Sequence, residues 1–155
     1  MQDFIREQQM VFIATADADG FCDCSPRFGK IGMVTVVDRN TLAYPEFRDN
    51  GVFASLGNIS ENPHIGLLFL DFLGSTVGLH VNGSADRRSP NDAPKNTDNK
   101  PEMLPPKLIE QWVYVTVEEA YIHCSKHVPQ FRAIEKEIHW GTDDPHRKSA
   151  NYFCE

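Results

Sequence analysis

Apolar and polar positions alternate along much of the first 90 residues, and turn-forming residues interrupt the alternation at short intervals. Residues 11–16 (VFIATA) read as a strand. Asp17-Ala18-Asp19-Gly20 follows, and an Asp-Gly pair supplies the positive φ that a tight hairpin needs. Residues 21–25 then return as the partner strand until Pro26 interrupts it. A β-branched run over 32–37 turns back at Asp38-Arg39-Asn40 into a short strand over 41–44, which Pro45 breaks. Residues 65–70 form an unbroken apolar run, the right length for a buried strand. Residues 76–87 alternate as one long strand, with Gly78 and Gly83 marking bulges or bends. A last strand over 112–117 continues over 119–124 after a kink.

The period shifts to that of a helix in three places. Residues 4–9 make a short N-terminal helix with Asp3 as its cap. Val52, Phe53, Leu56 and Ile59 share one helical face, with Asp49 or Asn50 at the N-cap. Asn62-Pro63 closes this helix, because a residue before proline is pushed out of the α region. Pro129 suits the first turn of a final helix, with Phe131, Ile134 and Ile138 as its apolar stripe. Residues 89–106, rich in Pro, Asn, Asp and Lys, read as a surface loop, and 141–155 as a polar tail. Six or so strands in hairpins with two or three helices predict a mainly β chain. The expected architecture is a small β-barrel with helical covers, a single domain over residues 1–155 with a C-terminal helix and tail from about residue 125.

Composition narrows the function. The net charge is −7, with no basic run, so nucleic acid is excluded as a partner. The N-terminus lacks the basic start and apolar stretch of a secretion signal, and the longest apolar run is too short to span a bilayer. A cytoplasmic protein with no membrane partner is the expectation, and Cys22, Cys24, Cys124 and Cys154 are then free thiols. Cys22, Cys24, His123, Cys124 and His127 do not have the spacing of a structural zinc site, and we assign no metal to them. His64 reads as a strand-start residue, and no nucleophile–base constellation is visible.

An anionic ligand would need local positive charge against this acidic background. Arg27, Lys30 and Arg48 are the candidates. Arg48 stands just before a helix start, where free backbone N–H groups and the helix dipole favour an anion. That makes residues 41–69 a cradle for a phosphorylated cofactor. The plainer alternatives are a solvated helix cap at Arg48 and Asn50, and an acidic neighbour pairing with Arg27.

Three ordered stretches carry a family resemblance: MVFIATADADGFCDCSPR (10–27), DRNTLAYPEFRDN (38–50) and LGNISENPHIGLLFLD (56–71), with VNGSA (81–85) as the following strand. Together they resemble the pyridoxamine 5′-phosphate oxidase-like family of flavin-binding split barrels. The resemblance implies a homodimeric split β-barrel with FMN at the subunit interface, acting as an oxidoreductase on a small-molecule substrate or electron donor. It implies that Ser25, Pro26 and Arg27 line the strand beside the flavin and that Tyr44 and Pro45 flank it. Arg48 and Asn50 stand where the phosphate contacts belong, and Asp49 acts as a cap only, since a carboxylate repels phosphate. Each charge-assisted hydrogen bond to phosphate contributes roughly 1.5–3 kcal/mol.

His123 and Lys126 lie where the last strand opens toward the family's flavin pocket, and a positive group there suits the ring edge that gains charge on reduction. Trp140 packs the last helix or lids the ring. No arginine-rich C-terminal clamp is present, so pyridoxamine phosphate is not the expected substrate. The catalytic residues stay unassigned. Two rival readings keep the same barrel: a flavin-binding sensor or carrier without turnover, and a barrel that binds a deazaflavin or haem instead. For haem, His123, His127 and His139 are the candidate axial ligands.

Overall fold

The structure is a computed structural model that describes residues 1–47, 52–95 and 108–134. Helix α1 (Gln2–Arg6) leads into strands β1 (Met10–Ala16), β2 (Cys22–Phe28), β3 (Thr35–Val36) and β4 (Thr41–Phe47). Helix α2 (Ala54–Glu61) follows, then β5 (His64–Leu70), β6 (Gly78–Arg88) and β7 (Ile109–His123), closed by a 3-10 turn over Ser125–His127. The strands form one seven-stranded sheet in the order β2-β1-β5-β6-β7-β4-β3, and every pair is antiparallel.

The period of two decides what each strand buries. On β1, Val11, Ile13 and Thr15 point inward and are buried, while Phe12, Ala14 and Ala16 face out. Ile65, Leu67 and Phe69 of β5 and Leu79 and Val81 of β6 continue the same interior. Ile5 of α1 and Leu56 and Ile59 of α2 pack into the same core. Strand β4 is different, because Leu42 to Glu46 are buried on both faces. Its inner face joins the main core through Leu42 and Tyr44, and Ala43 on the outer face joins a second cluster with Ile109, Trp112 and Tyr114. The segment after β6 covers that cluster: the Tyr114 hydroxyl donates to the carbonyl of Asp92 at 2.8 Å, and Arg88 lies 3.7 Å over the Tyr114 ring.

The turn chemistry follows the sequence closely. Gly20 has φ +88°, and Oδ1 of Asp17 accepts from the N–H groups of Asp19 and Phe21. Asp71 organises the β5–β6 turn by accepting from the N–H groups of Leu73, Gly74 and Ser75. The kink in the last strand is a bulge: Asn82 pairs with Glu119 and Gly83 with Val117, leaving Glu118 as the extra residue. A Cβ at Gly83 would lie 2.0 Å from the carbonyl oxygen of Thr116, so the close backbone approach requires glycine.

Several expectations need correction. Pro26 and Pro45 do not end their strands: β2 runs on to Phe28 and β4 to Phe47. Strand β2 is a sheet edge, and two-residue β3 covers only Ala43 and Leu42 of β4. Each proline can therefore turn its missing N–H side to an open flank. Of the run 32–37, only Thr35 and Val36 enter the ladder. Helix α1 begins at Gln2 rather than Phe4, and Asp3 pairs with Arg6 at 2.8 Å instead of capping. Helix α2 begins at Ala54 with Phe53 at the N-cap position and no side-chain cap, so Val52 and Phe53 precede it, and Asp49 and Asn50 lie outside the described residues. Residues 128–134 are not helical, and Phe131 stacks on Phe72 with ring centroids 5.0 Å apart. Ile138 lies outside the described residues.

Candidate functional site

Strand β2 presents an unusual inner face for a barrel. Asp23, Ser25 and Arg27 alternate inward and are half-buried, while Cys22, Cys24, Pro26 and Phe28 face solvent. The inner three meet β4 and α2 in one polar network. Arg27 donates from Nε to both carboxylate oxygens of Glu46, at 2.9 and 3.0 Å, and Nη2 stands 2.9 Å from Oε1. Nη2 also reaches Oγ of Ser55 at 3.3 Å, and Nη1 reaches the carbonyl of Pro26 at 3.2 Å. The Ser55 hydroxyl donates to Oδ2 of Asp23 at 3.0 Å, and the Ser25 hydroxyl donates to the same oxygen at 3.0 Å. One guanidinium therefore ties the edge strand to the strand across the barrel and to the first turn of α2.

Burial makes this network stiff. Glu46 is 4% exposed and Ser55 is 1% exposed. Removal from water raises the Glu46 carboxyl above its usual 4.5, and the charge and hydrogen bonds of Arg27 oppose that rise without cancelling it. Tyr44, two residues earlier on the same face of β4, is fully buried, and its hydroxyl has no hydrogen-bond partner among the described residues. Burial and the Glu46 charge push its phenol well above the ordinary value.

A second arginine flanks the other side of α2. Arg87 of β6 donates to Gln111 at 2.8 Å and to the Leu56 carbonyl at 3.2 Å, and its Nη1 contacts the Ser60 hydroxyl. Arg87 lines a cavity of about 270 Å³ together with Phe53, Leu56, Gly57, Glu110 and Gln111. Gln111 is the ladder partner of Glu46, so this cavity and the Arg27 network meet around the start of α2.

Of the residues expected at a site, Ser25, Arg27 and Tyr44 come together. Pro26 and Pro45 occupy the opposite faces of their strands. Arg48, Asn50 and Trp140 lie outside the described residues. Lys126 is exposed in the turn after β7, about 40 Å of strand beyond the Gln111 end that pairs with Glu46. Within one chain it does not join the network. Sequence reading missed Asp23, Glu46, Ser55 and Arg87. The only signals were a charged residue inside the apolar β4 run and the option of an acidic partner for Arg27.

A different group of side chains occupies the outer sheet face. Nε2 of His80 and Nδ1 of His123 are 3.2 Å apart, and the His80 ring stacks on Tyr121 at 4.6 Å and 9°. Asn82 donates to Glu119 at 3.1 Å, one step along the same face. His123 and Tyr121 are exposed. Among the described residues, no helix is long and apolar enough to cross a membrane.

Comparison with known proteins places this geometry. Three similar solved structures are HupZ of Group A Streptococcus, a candidate pyridoxamine 5′-phosphate oxidase of Lactobacillus delbrueckii, and HutZ of Vibrio cholerae, described as a haem storage protein. HupZ is 24% identical, covering 79% of this chain and 90% of its own, with a TM-score of 0.57. The Lactobacillus protein is 22% identical, covering 77% and 89%, with a TM-score of 0.52. HutZ is 10% identical, covering 77% and 89%, with a TM-score of 0.50. These likenesses establish a shared fold, and no curated protein matches the sequence. The family model described as Pyridoxamine 5′-phosphate oxidase matches residues 1–141, and the antiparallel sheet is consistent with that family's split barrel. The chain belongs to the pyridoxamine 5′-phosphate oxidase family.

Proposed function

We propose that this chain is an FMN-binding flavoprotein that acts as an oxidoreductase on a small molecule, as a homodimer with the flavin between subunits. The observation that carries the reading is the family match over residues 1–141. The residues present suit the cofactor's phosphate. Two guanidinium groups, Arg27 and Arg87, stand on either side of the α2 start, and among the described residues Nη1 of Arg27 has only its own strand's carbonyl as acceptor. Ser25 adds a half-buried hydroxyl, and Arg48 and Asn50, shortly before α2 in the sequence, are further candidates. Glu46 does not contact phosphate in this reading. It holds Arg27 in place, and its carboxylate offsets the Arg27 charge. When bound, the flavin supplies hydride transfer, and the protein's part is to orient it and exclude water.

The outer sheet face supports the dimer. The row Pro26, Phe12 and Leu68 crosses three adjacent strands by ladder pairing, and Phe28 beside it is 48% exposed. A second copy would cover such a face. Sedimentation is expected to give a dimer, and a stable monomer would count against the shared site.

The test of the cofactor is a spectrum of freshly purified protein with FMN titration. Flavin bands and a raised melting temperature are expected, and a colourless protein that FMN does not stabilise would overturn the reading. Turnover of reduced nicotinamide with an artificial acceptor separates an enzyme from a flavin sensor or carrier. A second reading, haem binding, is favoured by the exposed imidazole of His123 beside His80 and Tyr121. It predicts a Soret band with added haemin.

A further inference from the structure

We propose that His80 and His123 form a two-imidazole site for a borderline divalent transition metal, Cu²⁺ or Zn²⁺ in class. The two nitrogens lie 3.2 Å apart. Two imidazole nitrogens on one tetrahedral ion, each about 2.0–2.1 Å from the metal, lie about 3.3 Å from each other. The metal-free pair is thus already at the spacing a metal imposes. In the metal-free pair one ring donates its N–H to the other. Moving that proton to the ring's far nitrogen leaves both facing nitrogens free to ligate with no change in total protonation, and a turn of the rings aims them at one ion.

The fold sets the pair up from three directions. His80 and Tyr121 are direct ladder partners, and stacking at 4.6 Å fixes the His80 ring. His123 is the diagonal neighbour, two residues along β7, and its own ladder partner is Gly78. A Cβ at position 78 would stand 2.7 Å from Cβ of His123 and 3.3 Å from its Cγ. Glycine there frees the space beside the ring, while a larger residue would force it to move. Backbone pairing therefore holds both ligands on the rigid sheet, which suits a preorganised site.

The ligand set defines what binds. Neutral imidazole suits copper, nickel and zinc rather than calcium or magnesium, and the Irving–Williams order puts Cu²⁺ first. Among the described residues no third His, Cys, Asp or Glu completes a cluster. Water would fill the remaining positions, so the site suits reversible capture better than a structural role.

The test uses the full chain without a polyhistidine tag, stripped with chelator and titrated with CuCl₂ or ZnCl₂ against a competing chromogenic chelator. One metal per chain is expected, with a Cu²⁺ electron paramagnetic resonance spectrum split by two imidazole nitrogens. His80→Ala and His123→Ala should each weaken binding by about tenfold or more. His64→Ala, an exposed histidine at the start of β5, should leave it unchanged. If loss of the stack lowers the melting temperature of His80→Ala, His80→Phe keeps a ring on Tyr121 and gives the same readout. Absence of binding, binding by both single variants as tight as the parent's, or binding of haemin with no binding of either metal would overturn the proposal.

Discussion

The Arg27–Glu46 network and the His80–His123 pair are both made of titratable side chains held by neighbouring strands, yet they behave oppositely. Glu46 is 4% exposed and carries a matching guanidinium, with Ser55 and Asp23 joining on. His123 lies open to solvent, and among the described residues its one side-chain hydrogen-bond partner is another imidazole. The difference is desolvation. A charge taken out of water cannot change partners without a large loss, so the first cluster holds the architecture together. An exposed imidazole exchanges water, proton or metal at little cost, so the second is available to ligands.

The contrast can be broken most directly at Arg27. Arg27→Ala leaves a buried carboxylate unpaired and should cost about 3–5 kcal/mol in denaturant unfolding. Arg27→Met with Glu46→Leu removes both charges and should recover most of that loss. A double variant as unstable as the single one would show that the pair acts through more than its own compensation.

Ser55→Ala removes the hydroxyl that links Arg27 to Asp23 and should cost about 1–2 kcal/mol. A null effect would mean that water replaces the serine, and the network would then be wetter than its burial indicates.

Acidity gives a smaller and more specific test. The folded state holds the Glu46 proton more tightly than the unfolded chain does, because burial outweighs Arg27. Stability from that proton is complete below 4.5 and is lost as pH rises through the folded value. Measured against Glu46→Gln, the parent chain should therefore gain stability as pH falls from neutrality toward 4.5. A parent chain that loses ground over this window would mean that the field of Arg27 dominates. The smallest effect belongs to the open pair: His80→Ala and His123→Ala should stay within about 0.5 kcal/mol of the parent without metal. A larger loss would make the pair part of the frame.

Much of this fold was readable one residue at a time. Asp17 to Gly20, the Asn62-Pro63 stop and the glycine bulge at Gly83 each follow from a local rule, and each stands where it was expected. The errors cluster where local rules met the sheet. Proline ends a strand only if both flanks need its N–H, and the strand order leaves flanks open beside Pro26 and Pro45. The Phe131 and Ile134 stripe implied a helix, but Phe131 found Phe72 instead. At the site, Arg27 was legible as a rare cation in an acidic chain, and Ser25 through the family's Ser-Pro-Arg stretch. Glu46 was not, since 19 residues separate it from Arg27 and nothing local links them.

The sequence by itself determined the hairpins, the alternation of the strands and the family, because turns and period-two patterning depend only on neighbours along the chain. Tertiary structure alone decided that Arg27 closes onto Glu46 across the barrel and that Gly78 lets His123 lean toward His80. Both outcomes depend on strand order and ladder register, which place side chains from distant segments a few ångströms apart.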